Sequence, residues 1–212
     1  MDYLQLINKC LLELNYKQVN AFSELIKNDH KRIMSIINII NQEICAIEGW
    51  NFLMRRTSLM LPKGVTEIDN DVNGRILYLF IDGKKHDYCD DVESYMEGTQ
   101  KAGSYSAFAN RLLLPKFNED KVIDIVYYTK NCVVDSEGME KTELENATDS
   151  SLLPMPFVEQ ILVYGTCLRL KANPQYFKFP YWISMYKEAL ANLKSKTAVS
   201  ELNAPVVKMF RT

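Results

Sequence analysis

Within three residues the hydrophobic period of this chain changes from that of a helix to that of a strand, and no other feature limits the fold as strongly. Ile33, Ile36, Ile37, Ile40, Ile44 and Ile47 recur at three- and four-residue steps, which places them on one stripe of a helix over about 29–48, with Asp29 as its cap. Isoleucine is only a fair helix former, so packing rather than propensity must hold this element. Gly49 is then expected to end the helix in a left-handed conformation, with Trp50 where the chain turns back. From Asn51 the residues Phe52, Met54 and Arg56 alternate with Leu53, Arg55 and Thr57, and a period of two is that of a strand. A chain that switches in this way must fold into separate helical and β layers.

The rest of the chain repeats the contrast. Leu4, Ile7, Leu11 and Leu14 mark a helix over about 3–15. Strands are expected at 75–81, 85–89, 104–108, 111–114 and 121–129, separated by turn signals at Asp82-Gly83, Ala109-Asn110 and 118–120; spacing this short implies hairpins and an antiparallel sheet. Helical period returns after Leu153-Pro154-Met155-Pro156, first through Phe157, Ile161, Tyr164, Gly165 and Leu168, then through Trp182, Met185, Tyr186, Ala189, Leu190 and Leu193. Pro156 and Pro180 stand where proline favours a helix start. The expected fold is α+β: residues 1–50 and 151–195 form a helical bundle, 51–134 an antiparallel β domain, 135–150 an acidic loop and 196–212 an extended C-terminal tail. The acidic loop has six acids against one lysine, a local charge of −5, and reads as solvated.

Composition excludes several classes. With 212 residues, 47% of them hydrophobic and 25% charged, the chain is expected to bury roughly 70% of its unfolded surface and is neither disordered nor fibrous. A formal net charge of −2 gives no general attraction to nucleic acid or to an anionic membrane. The opening MDYLQLINKC has no basic region before its apolar residues, so no signal peptide is expected there. No run approaches the length of a membrane span. Five dispersed cysteines without a Cys-x-x-Cys read as reduced, packed thiols of a chain that folds in a cytoplasm.

Candidate chemical sites are few. In DNDVNG, Asp69, Asp71 and Asn73, followed by Gly74, reproduce the first half of a calcium loop, where oxygens at alternate positions converge on one cation. The twelfth position, however, is Phe80 where a bidentate glutamate is required, so a turn rich in Asp, Asn and Gly is the competing reading. His30 and His86 read as solvated side chains, although the acids around His86 (Asp87, Asp90, Asp91) leave a hydrolase as a rival hypothesis. No nucleophile elbow, phosphate loop or zinc-protease motif occurs, and neither catalytic residues nor a cofactor is expected. Tyr127-Tyr128 and the Trp182 group follow core spacing rather than that of a base-stacking platform. The tail retains an apolar knot at Val206, Val207, Met209 and Phe210, residues expected either to bind a partner or to fold back on their own domain.

Four segments, GWNFLMRRTSLMLP (49–62), NRLLLP (110–115), DIVYYTK (124–130) and LPMPFVEQILVYGTCLRL (153–170), together with the order of elements over nearly the whole chain, resemble the head-to-tail connector, or adaptor, proteins of tailed bacteriophages. The resemblance implies a structural virion protein made in the host bacterial cytoplasm. It implies a homo-oligomeric ring, a dodecamer, bound beneath the portal protein. Tail proteins attach to such a ring, and double-stranded DNA passes through its channel without sequence recognition. Stopper, tail-completion and tail-tube proteins share the same ring habit. An acidic surface such as 135–150 would let a duplex slide where a basic one would grip it.

Overall fold

A computed structural model of the chain describes residues 1–99 and 101–197. The class is α+β as expected, and the chain divides into two compact units. One holds residues 1–53 together with the described residues from 131 onward, and the other holds 54–130. Residues 131–134, expected in the β domain, therefore belong with the helices.

The helical unit contains α1 (Tyr3–Glu13), α2 (Asn28–Ile47), α4 (Phe157–Leu170) and α5 (Phe179–Thr197). Asp2 starts α1 with a reciprocal cap, its carboxylate accepting from Gln5 N–H while the Gln5 side chain accepts from Asp2 N–H. The isoleucine stripe of α2 is buried at Ile33, Ile37, Ile40 and Ile44. Asp29 lies in the first turn of α2 and not at its cap, which is Lys27. Helix α4 is the central element: it packs on α1, α2 and α5, and Phe157, Val158, Ile161, Leu162, Val163, Gly165, Thr166 and Cys167 are buried. A Cβ on Gly165 would lie 3.0 Å from the Tyr186 ring and 3.1 Å from Ile40 Cδ1, so glycine permits the close approach of α2 and α5 to α4. Trp182 of α5 is fully buried and donates its indole N–H to Glu13 Oε2 at 3.0 Å.

Three short strands complete this unit: β8 (Val133–Val134), β9 (Glu140–Lys141) and β10 (Ser150–Ser151), in the order β10-β8-β9. They correct the expected solvated loop at 135–150. Leu144 is buried, and its N–H and C=O are both bonded to the Asn38 side chain of α2. Asp149 is buried as well, accepting from the N–H groups of Glu145 (2.7 Å) and Asn146 (2.8 Å) and from Lys141 Nζ (2.9 Å). The acids are numerous in sequence, but one of them serves as an internal knot of hydrogen bonds.

The β unit is one seven-stranded sheet in the order β1-β7-β3-β4-β5-β6-β2. Its strands are β1 (Met54–Leu61), β2 (Glu67–Asp69), β3 (Gly74–Ile81), β4 (Lys84–Tyr88), β5 (Ser104–Phe108), β6 (Arg111–Leu113) and β7 (Lys121–Thr129). All pairs are antiparallel except β4 and β5, which run parallel over two residue pairs and are joined through the short helix α3 (Val92–Met96). The hairpin turns at Asp82-Gly83 and Ala109-Asn110 have positive φ at both central residues, the twist that matches flanking strands. Leu61, Leu79, Ile81, Tyr105, Leu112, Leu114, Ile123 and Ile125 form the core on the inner face.

The link between the period change and the fold lies at Trp50. Gly49 does not take the expected left-handed conformation; α2 ends at an extended Glu48. Trp50 is fully buried and donates its indole N–H to the Ile44 carbonyl at 2.7 Å, satisfying one of the carbonyls a helix end leaves without a partner. Its ring stacks on Phe52, and two residues after Phe52, at Met54, β1 begins.

Candidate functional site

The residues singled out for metal chemistry do not converge. Asp69 ends β2, its side chain 78% exposed, and its carboxylate lies 3.7 Å from Arg111 Nε. Asp71 is exposed, and the Asn73 carbonyl accepts from Lys130 N–H. Gly74 has a structural reason to be glycine: a Cβ there would sit 2.0 Å from the Tyr128 carbonyl oxygen, because β3 begins against β7. Among the described residues no group of three or more His, Cys, Asp or Glu could hold a metal ion, and no helix is long and apolar enough to cross a membrane.

Both histidines, expected in solvent, are buried. His86 places its Nδ1 3.0 Å from the Lys84 carbonyl and lines a cleft of about 420 Å³ in the β unit, together with Arg75, Ile76, Asp87, Tyr88 and Tyr105. The cleft opens because β3 pairs with β4 only from Leu79 to Ile81, after which β4 turns to β5. Of the acids near His86 in sequence, Asp87 pairs with Lys85 at 3.0 Å, and Asp91 caps α3 by accepting from Ser94 N–H. Nothing in this arrangement aligns an acid with the imidazole.

The feature that sequence reading missed is the outer face of the sheet. Residues directly opposite on neighbouring strands share a face, and the register puts Met60 opposite Val122, Ser58 opposite Asp124 opposite Phe80, and Arg56 opposite Val126 opposite Tyr78. This face, turned away from the core, carries Met60 at 64% exposure, Tyr78 at 43% and Val122 at 42%, with Phe80 and Val126 half-buried. One polar cluster lies in the middle of it. Asp124 accepts from Ser58 Oγ at 2.5 Å and pairs with Arg56 Nη2 at 3.0 Å, and the bonds from Ser58 and Arg56 hold its carboxyl below the usual carboxylate range. Beside it, Lys85 lies 5.7 Å from the centroid of the Tyr78 ring. The face ends at β1, the edge strand of the sheet. The alternation of β1 was legible in the sequence. The join of its outward residues to those of β7 and β3 was not, because it depends on the register.

Of the arginine pair, Arg56 is therefore on the outer face, while Arg55 Nη1 donates to the Met54 carbonyl at 2.8 Å. Val206, Val207, Met209 and Phe210 lie outside the described residues. A scan against protein-family models gives no match for this chain, and a search of curated proteins gives none either.

Proposed function

We propose that this chain is a structural subunit of a homo-oligomeric ring, the head-to-tail connector beneath the portal of a tailed bacteriophage, where it extends the DNA channel and carries the tail. The observation that carries the reading is the outer face of the β unit. Exposed apolar residues gathered on one face and rimmed by polar ones mark interaction sites, and here Met60, Val122 and Tyr78 are exposed, with Phe80 and Val126 half-buried, on one face that reaches the edge strand β1. A ring subunit presents two different faces to its two neighbours, and we assign this sheet face to contact with a second copy. The polar cluster at Asp124 would fix the orientation of that contact, since charged groups within an interface set register more than they add affinity. Three of the four segments that carry the resemblance to connector proteins contain the Trp50 joint with β1, most of β7, and α4. In this reading the work of the chain is contact and not turnover, and it ends in the virion.

The test is assembly. Mixed with portal rings, the purified chain should sediment with them and form closed rings visible by electron microscopy. Met60→Lys with Val122→Lys should abolish ring closure while leaving the monomer folded. A chain that ignores portal rings but sediments with tail rings would move it to the stopper, tail-completion or tail-tube class. A chain that joins neither and is missing from purified particles would overturn the proposal.

A further inference from the structure

Two pairs of thiols face each other in the helical unit, and they differ in reach. Cys10 of α1 and Cys167 of α4 lie close to each other and are wholly buried. Cys45 of α2 and Cys132, one residue before β8, also lie close enough to shift each other's thiols, but Cys45 is only half-buried. Backbone geometry places this second pair independently. Asn41 stands one helical turn before Cys45 on the same face of α2, and its Nδ2 donates to the Cys132 carbonyl at 3.1 Å. Cys132 Sγ–H in turn lies 2.8 Å from the Thr142 carbonyl oxygen.

The position of the pair in the chain is as informative as its geometry. The chain leaves the helical unit after Leu53 and returns at Asn131. Cys45 stands before the exit and Cys132 just after the return, so a bond between them would enclose the whole β unit in one covalent loop.

We propose that Cys45 and Cys132 form an intramolecular disulfide that clasps the helical unit at the point where the β unit is inserted, when the protein meets an oxidant of the low-molecular-weight disulfide class. Cys132, whose thiol the contact with Cys45 holds below its ordinary value, attacks the carrier disulfide as a thiolate and forms a mixed disulfide, releasing one carrier thiolate. Cys45 then gives up its proton and attacks Cys132 Sγ, forming the internal S–S bond and expelling the second carrier thiolate. The two thiol protons pass to the two released carrier thiolates; the protein is oxidised by two electrons and the carrier reduced by two. The contact with Cys132 and burial push the Cys45 thiol up, so the first attack falls to Cys132. Closing a loop this long restricts the unfolded chain more than a short cross-link would.

The experiment uses the full chain, reduced and then incubated with oxidised glutathione. Mass spectrometry of peptides alkylated without reductant should give one linked pair, Cys45 with Cys132, with Cys10 and Cys167 still free thiols. The oxidised protein should melt higher by on the order of 10 °C. Cut by protease within 54–130, it should run as one species on a denaturing gel without reductant and as two with it. Cys132→Ser and, separately, Cys45→Ser should each remove all three effects; the second lies at the half-buried position and preserves the fold if the first does not. A link between Cys10 and Cys167 instead, five alkylatable thiols after oxidation, or a linked protein that melts no higher than the reduced one would each overturn the clasp.

Discussion

The two units of this protein solve the same problem in opposite ways. In the helical unit, polar side chains reach across to backbone groups and tie them internally: Trp50 to the end of α2, Asn38 to both backbone groups of Leu144, Asp149 to two successive N–H groups, Asn8 to both the N–H and C=O of Val19. Apolar surface goes inward, onto α4. In the β unit the ladder satisfies the backbone and a single inner face holds the core, while the outer face keeps apolar side chains in solvent. Irregular backbone needs side-chain partners because buried polar groups left unmet are costly, whereas a sheet meets its own and leaves its outer face free to be used. Under the proposed function, the contrast would put the contact surface on the sheet and the foundation in the helices.

Changes in the helical unit should therefore cost stability, and changes on the sheet face should cost assembly. The largest effect is expected from Trp50→Ala, which removes a fully buried indole and its bond to Ile44 O; a loss of roughly 3–5 kcal/mol in chemical denaturation is expected, and wild-type stability would contradict the joint.

Asp149→Asn comes next. Burial alone would raise its carboxyl, but the Asn146 and Glu145 N–H groups and Lys141 outweigh that and hold it below the usual carboxylate range. A carboxyl depressed in the folded state contributes stability that is present above its unfolded pKa, near 4, and lost as pH falls through the lower folded value. The variant should lose roughly 1–3 kcal/mol at neutral pH, and its acid unfolding curve should be flatter below about pH 4. An acid limb identical to that of the wild type would remove Asp149 from the foundation.

Val122→Lys, on the sheet face, should change stability by less than about 0.5 kcal/mol and yet prevent self-association in sedimentation. If it unfolds the chain, the face is core and the contrast fails. The smallest effect belongs to Ala109, held at φ 47 in its turn. Glycine has no Cβ penalty there, so Ala109→Gly should raise stability by about 0.5 kcal/mol in thermal unfolding.

Legibility in the sequence followed how local each feature is. Strands 104–108 and 121–129 coincide with β5 and β7, since period and flanking turns are local signals. β2 and α3 were missed because three to five residues carry too little pattern, and the parallel contact of β4 with β5 had no local sign. The acidic stretch misled for a related reason. Charge density describes residues 135–150 in solution, but Asp149 is placed by partners at Lys141, Glu145 and Asn146 that act only once β9 and the turn behind it have formed.

What the amino acids determined alone is the layering. A stripe of period 3.6 at each end and alternation of period 2 between them can bury their apolar residues only as helices against helices and a sheet with one inner face, because each pattern puts its apolar groups on a single side of a single kind of element. Tertiary structure decided which surfaces remain. Strand register joined Met60, Val122, Phe80 and Tyr78 into one exposed face, and the insertion of the β unit between Leu53 and Asn131 brought Cys45 to Cys132. Both depend on residues far apart in the chain meeting in one place, and no local period records where such a meeting occurs.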